Sequence, residues 1–146
     1  VLSVARVAGI QAAKRASDLI PLCHPVLVGA VLVNFRIEDT FIEVEASVET
    51  VDRTGVEMEA LTAVNVACLT IYDMCKSVDR SMVIADVALW EKTGGRSGVY
   101  RRDGDELLAE LDGVGEVRPA RGGGGDRGRA AGRVPESQAC SSVKDL

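Results

Sequence analysis

The stretch that most constrains this chain runs from Thr54 to Val78, TGVEMEALTAVNVACLTIYDMCKSV. It predicts a long helix over about Gly55 to Val78. Thr54, with Glu57 three residues on, fits a capping box, in which a hydroxyl and a carboxylate satisfy free N–H groups at a helix start. Val56, Ala60, Ala63, Val64, Ala67, Cys68, Ile71, Met74, Cys75 and Val78 then cover much of the helix surface. An apolar stripe that wide predicts burial on more than one side. One side calls for a sheet. The other suits a second subunit, because Ala60, Ala63 and Ala67 permit close approach.

The flanking sequence supplies that sheet. Val31, Val33, Phe35 and Ile37 alternate with Leu32, Asn34 and Arg36. Ile42, Val44, Ala46 and Val48 alternate with Glu43, Glu45, Ser47 and Glu49, which reads as a half-buried strand with its acidic face outward. Glu38-Asp39-Thr40 between them suits a short hairpin connection. Residues 1–20 carry a helical pattern, weakened by about 1 kcal/mol at Gly9 and ended by Pro21. Met82 to Trp90 reads as a further strand. The order helix, strand, strand, helix, strand implies an α+β fold with helices on one face of an antiparallel sheet, compatible with a ferredoxin-like arrangement.

Aromatic residues make up 3% of the chain, so Ala, Val, Ile and Leu must fill the core. Beyond residue 99 the character changes. Asp105 to Leu111 has the pattern of one short helix, whereas Pro119 to Arg133 is Gly/Arg-rich, with Gly122-Gly123-Gly124-Gly125 at its centre. Such sequence offers no packable face and reads as disordered. The expected organisation is therefore a folded domain over residues 1–99 and a low-complexity tail over 100–146. From Arg101 onward there are eight basic and nine acidic residues, and the whole chain carries a net charge of -5, which speaks against a nucleic-acid binder. No apolar run is long enough for a membrane span. Cys23, Cys68, Cys75 and Cys140 match no zinc spacing and read as reduced thiols. The chain opens on Val1 rather than Met, which suggests a fragment or a processed product.

His24 is the only histidine, and histidine alone has an unperturbed pKa near physiological pH. It lies between Pro21 and Pro25, so it is either a turn residue or a proton-transfer group that works with carboxylates and lysines from elsewhere. Asp73 and Lys76, three residues apart, share a helix face and are either a surface ion pair or an acid/base pair. Glu57 and Glu59 stand at the opposite end of the same helix. Fourteen residues separate Glu59 from Asp73, about 21 Å along a straight helix. A single small substrate that met both ends would have to lie between two subunits. Lys92-Thr93-Gly94-Gly95-Arg96-Ser97-Gly98 combines positive charge with Gly-rich backbone, as a polyphosphate site needs. Lys14 and Arg15 are the competing cations.

Residues 8–25 (AGIQAAKRASDLIPLCHP), 54–76 (TGVEMEALTAVNVACLTIYDMCK) and 92–98 (KTGGRSG) together resemble the MoaC family of molybdenum cofactor biosynthesis, the cyclic pyranopterin monophosphate synthases. The similarity covers about residues 1–99. It implies a ferredoxin-like subunit assembled as a hexamer of three dimers, with active sites at dimer interfaces. It also implies conversion of 3′,8-cyclo-7,8-dihydroguanosine 5′-triphosphate to cyclic pyranopterin monophosphate, with release of pyrophosphate. By position, Asp73 corresponds to the family's catalytic aspartate and Lys76 to its helix partner. Leu22, Cys23 and His24 correspond to a substrate-contact segment, as do Met58 and Glu59, with Glu57 beside them. The family's catalytic lysine belongs to a Lys-Gly-Asp segment just ahead of Val1, so a non-catalytic nucleotide- or partner-binding member is the alternative expectation. No cofactor is expected beyond Mg2+ accompanying the triphosphate. The expected compartment is the bacterial cytoplasm, with an organellar matrix as the alternative.

Overall fold

The computed structural model describes residues 1–95, 97–102 and 126–135. Helix α1 spans Leu2–Ala13 and a short helix α2 spans Ala16–Leu19. Strands β1 (Val28–Ile37) and β2 (Phe41–Thr50) precede the long helix α3 (Glu57–Cys75). Strands β3 (Ala85–Thr93), β4 (Tyr100–Arg101) and β5 (Asp126–Pro135) complete the described chain. The strands form one antiparallel sheet in the order β1-β2-β5-β3-β4, and the helices pack on it in an α+β fold. No helix among the described residues is long and apolar enough to cross a membrane.

The β1–β2 hairpin follows from the alternation. Val33 lies opposite Ala46 and Ile37 opposite Ile42, which puts Val33, Ile42, Val44, Ala46 and Val48 into the core. The acidic side of β2 is not simply outward. Glu43 is 4% exposed and pairs with Arg36 of β1 at 2.7 Å.

The expected helix over 1–20 is broken after Ala13, and the turn at Lys14 and Arg15 starts α2. Gly9 allows close approach rather than weakening the helix: a Cβ there would lie 3.0 Å from the Ala63 carbonyl and 3.3 Å from the Ala67 Cβ. Ala63 and Ala67 of α3 thus receive α1 of the same chain. Gly9 sits against Ala63 and Ala67, and Cys23, further along the chain, meets Glu59 at the start of α3. The two helices therefore run antiparallel.

The capping box does not form. Val56 precedes the first helical residue, Glu57, and no side chain caps the end. Glu57 is one residue into the helix rather than three, and its carboxylate pairs with Lys92 instead. The strand expected over 82–90 begins and ends three residues later, and Asp86 takes a positive φ of 55° near its start.

The largest departure is β5. The segment 119–133 reads as disordered by composition, yet residues 126–135 form the central strand, paired with β2 from Phe41–Pro135 to Thr50–Asp126 and with β3 on the other side. The physical reason is a two-faced alternation hidden by low complexity. Gly128, Ala130 and Gly132 lie under α3, where larger side chains do not fit. A Cβ at Gly132 would meet Val64 Cγ1 at 2.8 Å and Val87 Cγ2 at 2.9 Å. On the opposite face Arg127 pairs with Glu49 at 3.1 Å, and Arg129 pairs with Glu45. Residues 103–125 and 136–146, including the helix expected over 105–111, lie outside the described residues.

The core is aliphatic, with Ile71, Val44, Val48, Val56, Val64 and Cys68 fully buried. Burial pushes the Cys68 thiol up from its ordinary value of 9.0 to about 12. In the folded chain the thiol stays neutral in the window where the unfolded chain ionises. Its contribution is fully present below pH 9 and is lost as the pH rises toward 12. Between pH 9 and 10.5 this should remove about 2 kcal/mol of stability. Denaturant titrations at pH 8 and 10.5 should show a smaller alkaline loss in Cys68→Ala than in the native sequence. Equal losses would contradict the assignment.

Candidate active site

The N-terminal end of α3 gathers most of the residues that the sequence singles out. Glu59, in the first turn, is 3% exposed. Its Oε1 accepts a hydrogen bond from Cys23 Sγ at 3.6 Å. Burial, and then the Glu59 charge and hydrogen bond, push the Cys23 thiol up from its ordinary range. The thiol is therefore held neutral as a donor. His24, next in sequence, is exposed, and its Nε2 lies 3.3 Å from Thr54 Oγ1.

The segment that carries Cys23 and His24 is anchored just past Pro25. The Leu27 N–H donates to Asp52 Oδ2 at 2.8 Å, and Thr50 Oγ1 donates to the Leu27 carbonyl at 2.6 Å. The Asp52 N–H in turn donates to Thr50 Oγ1 at 3.0 Å. Spacing along the chain does not mark this anchor, and Thr54 reads there only as a helix cap. The available signal was the run of hydrogen-bonding side chains Thr50, Asp52 and Thr54 at the exit of a strand.

Lys92, on β3, reaches the same place. Its Nζ lies 3.0 Å from Glu57 Oε1, its side chain is only 11% exposed, and it also donates to Ser97 Oγ. Beyond it Gly94, Gly95 and Gly98 take φ values of 88°, 67° and 69°, in the region that favours glycine. Met58 and Leu22 are 38% and 97% exposed and flank the cluster without a polar role. Lys14 and Arg15 are exposed in the turn after α1, the end of that helix that points toward the α3 N-terminus. Arg96 lies outside the described residues.

Asp73 and Lys76 are not part of this cluster. Lys76 Nζ and Asp73 Oδ1 are 2.6 Å apart at the far end of α3, both largely exposed. The hydrogen bond to Asp73, then its charge, push the Lys76 ammonium up from its ordinary value. Fourteen residues of unbroken helix place this pair about 21 Å from Glu59 along α3.

The described chain therefore holds two chemically distinct constellations. One end of α3 has a thiol, an imidazole, two carboxylates and an ammonium, suited to holding a polar ligand. The other end has a carboxylate and an ammonium in direct contact, suited to proton exchange. A family model described as the MoaC family matches residues 1–95, which contain both constellations. The chain belongs to the MoaC family. A cyclic pyranopterin monophosphate synthase from Thermomicrobium roseum is 64% identical over 73% of this chain and 65% of its own length. Its counterpart from Pelotomaculum thermopropionicum is 57% identical over 78% of this chain and 68% of its own. Cyclic pyranopterin monophosphate synthase 1 of Mycobacterium tuberculosis strain H37Rv is 58% identical over 75% of this chain and 65% of its own. The chain thus spans about two thirds of the length of these MoaC relatives. Strand β5 lies beyond the matched residues.

Proposed function

We propose that this chain catalyses the cyclic pyranopterin monophosphate synthase reaction of molybdenum cofactor biosynthesis. The substrate is 3′,8-cyclo-7,8-dihydroguanosine 5′-triphosphate, and the products are cyclic pyranopterin monophosphate and pyrophosphate. The observation that carries this reading is the convergence of three family-like segments at one helix end. Cys23 meets Glu59, His24 meets Thr54, and Lys92 meets Glu57, although these pairs are far apart in sequence. Relatives 57% to 64% identical that bear the synthase name support it.

The reaction requires proton transfers while the purine-derived ring is opened and rebuilt as a pterin. It also requires attack on the α-phosphate to close the cyclic phosphate and expel pyrophosphate. Cys23, His24, Met58 and Glu59, with Leu22 and Glu57 at the margin, contact the substrate. Lys92, Arg96 and Lys14 counter its phosphate charge, and Mg2+ arrives on the triphosphate as part of the substrate. Asp73, with Lys76 beside it, exchanges protons with the ring. The helix length supports a working unit of at least a dimer, in which each site takes the Glu59 end of one α3 and the Asp73 end of another. The proposed assembly is a hexamer of three such dimers, working in the cytoplasm.

Two assays test this reading. The first follows pyrophosphate and pterin formation from the cyclo-triphosphate, with and without a Lys-Gly-Asp segment joined ahead of Val1. Product formation in at least one form is expected. Absence of product from both, with the triphosphate still bound, would leave the binding-only alternative standing. The second concerns Lys92, which is held by Glu57 and Ser97. Lys92→Ala combined with Arg96→Ala should weaken triphosphate binding, and by more at low salt than at high salt, since ionic contacts are screened. Calorimetry that shows unchanged affinity at low salt would move the phosphate site to Lys14 and Arg15.

A further inference from the structure

We infer that β5, a strand outside the family-matched residues, positions the candidate active site through Gly128, which seats the first turn of α3 and aligns it with Lys92. The inference rests on the proposed reading of that site for its functional consequence, but not for its geometry. Strands β2 and β3 are joined through α3 and are not neighbours in the sheet; β5 separates them. They stand two strand spacings apart, roughly 9.5 Å. Lys92 belongs to β3, whereas the Thr50–Asp52 anchor of the His24 segment follows from β2. Within the sheet, the relative placement of these two supports is set through β5.

The N-terminal end of β5 touches each support. Asp126 pairs across to Thr50, whose hydroxyl holds Leu27. Gly128 pairs across to Lys92, and Arg127 to Thr93. Gly128 also lies directly beneath the start of α3: a Cβ there would be 2.9 Å from the Val56 carbonyl oxygen, 3.0 Å from its carbon and 3.2 Å from the Glu57 N–H nitrogen. These are backbone atoms, which no rotamer change can move. Any side chain at 128 must therefore lift Val56 and Glu57, and with them Glu59 and its contact to Cys23. Gly132, four residues on, is equally crowded, but against the side chains of Val64 and Val87, away from the site. The two glycines are matched in crowding and differ in what they seat.

The experiment compares Gly128→Ala with Gly132→Ala in the full chain. Both should lower the melting temperature. Only Gly128→Ala should speed iodoacetamide alkylation of Cys23, read on its own peptide by mass spectrometry, and speed amide exchange over residues 57–61. Only Gly128→Ala should weaken binding of the cyclo-triphosphate, by about tenfold or more, as expected when binding groups shift by a fraction of an ångström to an ångström. Arg127→Glu, opposite Glu49 at the same strand end, should give the same pattern at smaller amplitude and serves if Gly128→Ala does not fold. Alkylation and exchange that change equally in the Gly128 and Gly132 variants would overturn the proposal. If these readouts separate the variants while the native chain binds no triphosphate, the positioning role stands and the synthase reading fails.

Discussion

Two variants that are each inactive, Asp73→Asn and His24→Ala, should recover activity when assembled together. With a Lys-Gly-Asp segment ahead of Val1 in both, each alone should lose product formation by about 10²- to 10⁴-fold, the usual worth of a positioned proton-transfer group. Both side chains are exposed, so neither change should disturb the fold. The reason for recovery is the rigidity and length of α3. Asp73 and Glu59 are held about 21 Å apart in one chain, too far for one small substrate to reach both. If each site draws the His24–Glu59 end from one subunit and the Asp73 end from its partner, a mixed dimer contains one doubly damaged site and one intact site. Random pairing makes half of the dimers mixed, so roughly a quarter of the sites are intact in a two-fold symmetric assembly. Co-refolded mixtures should therefore show about a quarter of native turnover. Mixed dimers, verified by differential tagging, that remain inactive would place the whole site within one chain.

Much of this was legible in the sequence because local pattern and tertiary role agree there. The alternation of Ile42, Val44, Ala46 and Val48 dictates a strand with one buried face, and β2 has it. The residues of α3 predict a long, heavily buried helix, and Ala60, Ala63, Val64, Ala67, Cys68 and Ile71 are fully buried. The partner of the small residues was not legible. Periodicity shows that Ala63 and Ala67 permit close approach, but only the position of Gly9 shows that α1 makes it. The capping box failed for a similar reason. Thr54 and Glu57 have the right spacing, but Lys92 and His24 compete for them from distant parts of the chain. The three pairs Cys23–Glu59, His24–Thr54 and Glu57–Lys92 depend on that long-range assembly, which spacing along the chain does not encode. Strand β5 was hidden because Gly and Ala carry no hydrophobic signal. Their fitness for the sheet comes from what they leave out beneath α3.

The second large effect is expected at that strand. Ala130→Asp should abolish cooperative folding or leave it barely detectable, whereas Arg127→Ala should cost about 1 kcal/mol or less. Ala130 is fully buried, on the face of β5 turned toward α3, opposite Ala46 of β2 and Leu89 of β3. An aspartate there must either bury an ionised carboxylate or take up a proton and still leave polar atoms without partners. It also adds volume where the neighbouring Gly132 has no room for a Cβ. A combined loss above about 4 kcal/mol is expected, against a total stability of about 5–15 kcal/mol for a domain of this kind. Arg127 is different: its ion pair with Glu49 is half-exposed on both sides. Circular dichroism melts and limited proteolysis would separate the two variants. If Ala130→Asp melts within a few degrees of the native chain, β5 does not occupy the centre of the sheet in solution. The composition of residues 119–133 would then be the better guide than the alternation of Arg127 and Arg129 with Gly128, Ala130 and Gly132.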